Sequence, residues 1–211
     1  MTRPELLTFD VFGTIVDWRT GMEEACATRG RRLMPGELDR VIDLQGDLEQ
    51  REYDRYTSIV LKSLAAVLGV DGTTAAAVAE SVGGWPLFPD SREALRRLMR
   101  LARCAAITNS DRQHGEAVQA QLGFPLSGWI CAEDVRHYKP SREMWDAAAE
   151  RLGATFGPRW WHVSAYSDYD LATARGLGLT AVFVERAHRR PGPADLSVPD
   201  LAVLAEMVET G

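Results

Sequence analysis

Cysteine is scarce in this chain of 211 residues: only Cys26, Cys104 and Cys131 are present. An odd number of widely separated thiols excludes a disulfide framework and a cysteine zinc cluster. Cys104 and Cys131 lie in apolar runs, where free cysteines pack as small hydrophobes rather than serve as nucleophiles. Positive charge is in deficit as well. Against 30 Asp and Glu stand 24 Lys and Arg, a formal net charge of −6. That balance disfavours nucleic acid or anionic membranes as partners. It leaves room for a small anionic substrate, which needs only one local basic pocket. The opening residues Met-Thr-Arg-Pro-Glu lack the apolar core of a signal peptide, and no apolar run reaches membrane-spanning length. The expected location is the cytoplasm. Repeats and low-complexity tracts are absent.

What is present is an ordinary globular composition, 45% hydrophobic and 26% charged. The length allows one domain, or one domain carrying a modest insertion. The most informative stretch is the run Leu6-Leu7-Thr8-Phe9 followed by Asp10, Gly13 and Thr14. An apolar run of this kind suits a strand buried on both faces, as in a parallel sheet. Gly13 permits a sharp turn just beyond it. A carboxylate at the carboxyl end of a buried strand costs free energy unless paired, and it stands where open α/β sheets bind ligands.

Residues 21–84 then read as helical. Leu38, Val41, Ile42, Leu44 and Leu48 recur at helical spacing, as do Tyr56, Ile59, Val60, Leu64, Val67 and Leu68, with Gly69 as a stop. A third helix is expected over 74–82, and no strand-like alternation interrupts the segment. Beyond it, helices and strands alternate. Asp90 and Glu93 read as a reciprocal helix cap, with the helix running to about Arg100. Strands are expected at 104–107, 129–131, 161–164 and 180–184, with helices at 111–122, 141–152, 170–177 and 199–208. Pro191-Gly192-Pro193 marks a loop. Such alternation predicts an α/β fold: a Rossmann-like parallel sheet with right-handed crossovers, interrupted by a helical insertion.

In that sheet the loops following the strands meet at one edge. Four groups of polar residues fall there: Asp10 with Thr14, Thr108-Asn109, Lys139, and the run from Ser164 to Asp170. Taken singly, each has an ordinary reading, since Thr, Asn and Asp cap helices and a loop lysine is usually solvated. Their order, each after an expected strand, is far less ordinary.

The string Phe-Asp-Val-Phe-Gly-Thr-Ile-Val-Asp-Trp resembles the first motif of the haloacid dehalogenase superfamily. Ala-Ile-Thr-Asn-Ser resembles its second motif, Tyr138-Lys139-Pro140 its third, and His-Val-Ser-Ala-Tyr-Ser-Asp-Tyr-Asp-Leu-Ala-Thr-Ala-Arg-Gly-Leu-Gly its fourth. The resemblance spans nearly the whole chain. It implies a core of residues 1–17 and 86–211 with a helical cap at 18–85, and a possible homodimer. Asp10 is then the nucleophile, with Thr14 beside it and Lys139 paired to it. Family phosphatases carry a general acid two residues beyond the nucleophile. Here that residue is Phe12, whose ring cannot donate a proton, so the motif is similar to the dehalogenase branch. Asp170 takes the second acidic position of the fourth motif, while the first falls on Tyr166. The magnesium site of the phosphatases is thereby weakened, although Asp168 could compensate if the loop is shifted.

The activity implied is hydrolysis of small 2-haloalkanoic acids without a cofactor. A free aspartate has a pKa of ~3.9, so Asp10 would be ionised at neutral pH, with Lys139 keeping it so. It would attack C2 of the substrate and form an ester. Asp170 or Asp168 would then activate water. The substrate carboxylate is expected against Thr108, Asn109 and backbone N–H groups at a helix start, in a pocket that also includes Phe12, Trp18, Ser164 and Tyr166. Family dehalogenases place a cap arginine against the departing halide. Its position falls near Gln45 here, leaving Arg51 and Arg55 (one helical turn apart) or Arg19 as substitutes. A tyrosine usual after the third-motif lysine is replaced by Trp145. The alternatives are a phosphatase requiring Mg2+ and hydrolysis of another activated carbon–heteroatom bond.

Overall fold

The strand β1, Leu6–Phe9, is buried at every position and lies at the middle of a sheet. A computed structural model describes residues 3–187 and 189–211. Its six strands are all parallel, in the order β3-β2-β1-β4-β5-β6. The others are β2 (Arg103–Thr108), β3 (Trp129–Cys131), β4 (Trp160–Ser164), β5 (Thr180–Val184) and β6 (Leu196–Val198). The chain builds outward from β1 on one side, then crosses back to begin again at β4. The loops after β1 and β4 therefore part, leaving a crevice at the carboxyl edge. Register places Phe9 beside both Ala106 and Val163, so Asp10 emerges where Thr108 and Ser164 end their strands.

Four helices are inserted after β1, before the helix that leads into β2: α1 (Trp18–Ala27), α2 (Glu37–Glu49), α3 (Tyr56–Leu68) and α4 (Gly72–Glu80). Their apolar stripes, including Val41, Ile59, Val60, Leu64 and Val78, are buried together with the sheet residues in one continuous core. Burial of each such side chain contributes roughly 1.5–3 kcal/mol. Asp111 ties this insertion to the sheet. Its carboxylate accepts from the Tyr56 and Thr57 amides, both at 2.9 Å, so it caps α3 rather than its own helix.

The remaining helices are α5 (Ser91–Leu98), α6 (Arg112–Leu122), α7 (Ala132–Val135), α8 (Arg142–Leu152), α9 (Ala172–Gly176) and α10 (Leu201–Thr210). Three differences from the sequence expectations have physical causes. The edge strand β6 has three residues, too few to show alternation, and lies between the expected loop at 191–193 and the expected helix at 199–208. Asp90 makes no cap with Glu93, because Arg186 takes its carboxylate through two bonds of 2.9 and 3.0 Å. The expected helix at Asp170 begins instead as a π-turn over Ser167–Leu171, one residue wider per turn than an α-helix. Among the described residues no helix is long and apolar enough to cross a membrane.

Candidate active site

Lys139 stands between two carboxylates at the sheet edge. Its Nζ donates to Asp10 Oδ1 and to Asp170 Oδ2, each at 2.9 Å, and all three side chains are buried. The other oxygen of Asp10 is held by Thr14 Oγ1, which donates to Oδ2 at 2.8 Å. Thr14 Oγ1 itself accepts from the Ala165 amide at 3.0 Å. Gly13, with φ of 105°, makes the turn that brings Thr14 back under Asp10. A side chain there would strike the Tyr166 ring, which covers the turn. Tyr166 is fixed in turn by Trp18, whose Nε1 donates to its hydroxyl at 2.8 Å.

Asp170 is buttressed from behind. Trp160 Nε1 donates to Thr8 Oγ1 at 2.8 Å, and Thr8 Oγ1 lies 2.9 Å from His162 Nδ1. With the hydroxyl hydrogen given to Nδ1, the imidazole carries its own hydrogen on Nε2, which lies 3.1 Å from Asp170 Oδ1. Trp145 packs edge-on against the imidazole at 4.8 Å and is wholly buried, so it serves the core rather than the pocket.

Two buried acids sharing one ammonium cannot be electrostatically alike. Burial raises the Asp10 carboxyl above its ordinary value, against the pull of Lys139 and Thr14. Burial pushes Asp170 the same way, but Lys139 and His162 outweigh it and hold this carboxyl well below the usual range. Lys139, pulled down by desolvation, is raised on balance by its two acids. The arrangement pairs an acid that stays ionised with one that titrates above the ordinary aspartate range. Lys139 thus moderates, rather than abolishes, the cost of ionising Asp10.

A cleft of about 1030 Å³ opens over Asp10, between the sheet edge and the helical insertion. Phe12, Trp18, Thr108, Asn109, Lys139, Tyr166 and Asp168 line it. Ser164 lies beneath, with its Oγ accepting from the Tyr166 amide at 3.1 Å. Thr108 bonds Ser110 at 3.1 Å. The Asn109 side chain is committed: Oδ1 accepts from the Lys139 amide at 2.6 Å, and Nδ2 donates to the Lys139 carbonyl at 3.1 Å. It positions Lys139 and leaves substrate contact to other groups. Asp168 faces Arg190 at 3.5 Å instead of the Asp10–Lys139 pair, so Asp170 alone of the two bonds Lys139.

The substitute arginines part company. Residues 51–55 are not helical, so Arg51 and Arg55 share no helix face. Arg51 lines the cleft, whereas Arg55 turns to Asp111 and Glu133 at 3.7 and 3.3 Å. Arg19 pairs with Glu23 and Asp39 outside the cleft, at 3.6 and 3.7 Å. Gln45 is buried, bonded to Ser63 and Tyr56 at 3.2 Å each.

Three residues escaped the sequence reading. His162 was visible only as part of a strand. Arg186 Nη2 donates to the Thr14 carbonyl at 2.9 Å while its ring-facing guanidinium stacks on Phe88, clamping the loop that follows β1. Glu49, the last residue of α2, enters the cleft and accepts from Asn109 Nδ2 at 2.8 Å. In the sequence it stands close to Arg51, Glu52 and Arg55, a mix of charges that reads as a solvated face.

The donor set does not fit a divalent cation held by several acids. The Lys139 ammonium occupies the position between Asp10 and Asp170, and Tyr166 stands at the motif position where the resemblance expects a further acid. Among the described residues no three His, Cys, Asp or Glu side chains gather as a metal site.

Residues 4–163 match the family model described as haloacid dehalogenase-like hydrolase. No curated protein matches the chain. Among solved structures, the defluorinating L-2-haloacid dehalogenase Rha0230 is 24% identical with a TM-score of 0.83, over 98% of this chain and 95% of that one. The L-2-haloacid dehalogenase of Xanthobacter autotrophicus is 19% identical with a TM-score of 0.81, over 98% of both chains; it has also been solved with chloropropionic acid covalently bound. The HAD-hydrolase YfnB of Bacillus subtilis, bound to magnesium, is 16% identical with a TM-score of 0.83, over 99% of this chain and 100% of that one. At such identities the likeness is one of fold.

Proposed function

The chain belongs to the haloacid dehalogenase-like hydrolase family, and within it we propose that this protein hydrolyses small 2-haloalkanoic acids to 2-hydroxy acids through an ester on Asp10. One observation carries the reading. The buried Asp10–Lys139–Asp170 triad is accompanied by the Phe12 ring in the cleft, where a phosphatase would keep its proton donor. Halide leaves without needing a proton, so the chemistry tolerates that ring.

A carboxylate oxygen of Asp10 attacks C2 of the substrate, and the carbon–halogen electron pair departs with the halide. Water then attacks the carbonyl carbon of the resulting ester while Asp170 takes its proton. Collapse of the tetrahedral adduct releases the hydroxy acid, which recovers that proton, and leaves Asp10 as its acid, whose own proton passes to solvent to restore the carboxylate. The substrate carboxylate rests against Thr108 and the backbone of the loop that follows β2, with Arg51 contributing positive charge at the cleft wall. The covalent chloropropionic acid of the Xanthobacter enzyme offers an example of the kind of intermediate required. The helical insertion acts as the cap that excludes water, and the reading calls for no metal.

Halide release from a panel of 2-haloacids, with and without EDTA, tests this. The expected result is release that the chelator leaves unchanged. Phosphate release from small monoesters that collapses on adding EDTA, with no halide produced, would replace the proposal with a magnesium phosphatase.

A further inference from the structure

A departing halide carries a full negative charge, yet the place of the expected cap arginine is held by neutral, buried Gln45. One helical turn further along α2, Glu49 lines the cleft that contains Asp10. An ionised carboxylate there would repel both an anionic substrate and the halide it loses. It would also face the carbonyl end of its own helix, where negative charge is disfavoured.

The hydrogen bonds around Asn109 decide how Glu49 is oriented. Asn109 is locked by the backbone of Lys139, which donates to its Oδ1 and accepts from its Nδ2. The same Nδ2 donates to Glu49 Oε2. That oxygen must therefore accept, and any proton on the carboxyl resides on Oε1. Among the described residues Oε1 makes no hydrogen bond. Resting on the dehalogenase reading above, we propose that Glu49 in its protonated form is the leaving-group donor, with Oε1–H directed at the halide as it departs. As the Asp10–C2 bond forms and the carbon–halogen bond breaks, the electron pair goes to the halide. The halide accepts a hydrogen bond from Oε1–H, and the proton stays on Glu49 because a halide ion is a far weaker base than the carboxylate.

Burial in the cleft agrees with this, raising the Glu49 carboxyl to about 8, against smaller opposing contributions from Asn109 and Lys139 and with a reinforcing one from Asp10. Tyr56, Tyr138 and Tyr169 complete the titratable groups that feel its charge, and each is raised above the ordinary tyrosine value. The direction of the shift favours the protonated carboxyl.

The test compares Glu49→Gln and Glu49→Ala with the unaltered protein on 2-fluoro- and 2-bromopropanoate across pH 6–10. Asn109 presents the same donor to Gln as to Glu, so the amide nitrogen of Gln takes the place of Oε1–H. Glu49→Gln is expected to retain turnover within about 10-fold and to lose the decline above pH 8. Glu49→Ala is expected to lower kcat on the fluoro substrate about 10²-fold, as when one donor to a developing anion is removed, and less on the bromo substrate. Equal rates and identical pH profiles in all three would overturn the proposal. So would a carboxyl that titrates between 4 and 5 by isotope-edited infrared, assigned by its loss in Glu49→Gln. Absence of halide release from the unaltered protein would instead sink the dehalogenase reading. Fluoride binding to Asp10→Asn, followed by 19F NMR at pH 9, then decides about Glu49. Binding strengthened by adding Glu49→Gln but not Glu49→Ala supports the donor, and no difference overturns it.

Discussion

Thr14 Oγ1 points its hydrogen at Asp10 Oδ2 across 2.8 Å because the Ala165 amide, at 3.0 Å, occupies the hydroxyl's accepting side. The loop after β4 thereby fixes which way the Asp10 carboxylate faces. Thr14→Val keeps the shape and removes the hydrogen, leaving both Oδ2 and the Ala165 amide without a partner. Turnover should fall about 10²-fold, with thermal stability lowered by about 1–3 kcal/mol. Thr14→Ser should restore most of both. Steady-state kinetics and calorimetry on the pair check this.

Lys139→Met leaves Asp10 and Asp170 facing each other without a counter-charge. Losing one partner of a buried ion pair costs about 3–5 kcal/mol, so the variant should melt well below the unaltered protein. One acid must then protonate, and halide release should cease at neutral pH. A double variant, Lys139→Met with Asp170→Asn, should recover part of the stability without recovering activity. Denaturant titrations supply the comparison.

His162 lies against Asp170, 3.1 Å away, rather than against Asp10. His162→Phe should therefore spare the first chemical step and slow the second, so that the Asp10 ester accumulates. A burst of halide followed by slow release of hydroxy acid in rapid-quench experiments is the expected signature. Equal slowing of both steps would assign the imidazole a purely architectural place.

The acid limb of the pH profile belongs to Asp10. Attack needs the carboxylate, and burial raises this carboxyl above its ordinary value. Activity should thus rise with pH through a midpoint above the usual aspartate range, not at it. Stability responds with the same sign logic. A carboxyl raised in the folded state binds its proton more tightly there, so its contribution is present at low pH and is lost as pH climbs through the raised value. Asp170, held low, contributes the reverse: its stabilisation is present at neutral pH and lost only on strong acidification. Asp10→Asn should remove the first effect and leave the second, as read by melting temperature against pH.

Much of this site was legible because parallel sheets convert sequence order into spatial convergence. Asp10, Thr108, Lys139 and Asp170 each follow a buried strand or the loop leaving one, and β1, β2 and β4 are neighbours. The choice between Asp168 and Asp170 was not legible. It depends on a π-turn, a wider winding that puts Asp170 under Lys139 and Asp168 against Arg190. Arg186 and Asp90 are far apart in the chain, and nothing local announces their pairing. Glu49 was disguised by its neighbours: among Arg51, Glu52 and Arg55 it resembled a solvated face. The end of α2 at that residue turns the next few away from helical geometry and separates their side chains. Helical periodicity cannot foresee where its own pattern stops.

The decisive measurement is a single turnover of a 2-haloacid in 18O-labelled water, with excess enzyme, followed by mass spectrometry of the peptide that holds Asp10 and of the product. If the nucleophile is the Asp10 carboxylate, one heavy oxygen enters that side chain and the hydroxy acid emerges unlabelled. A labelled product beside an unlabelled Asp10 would mean that water attacks carbon directly, and the account would fail.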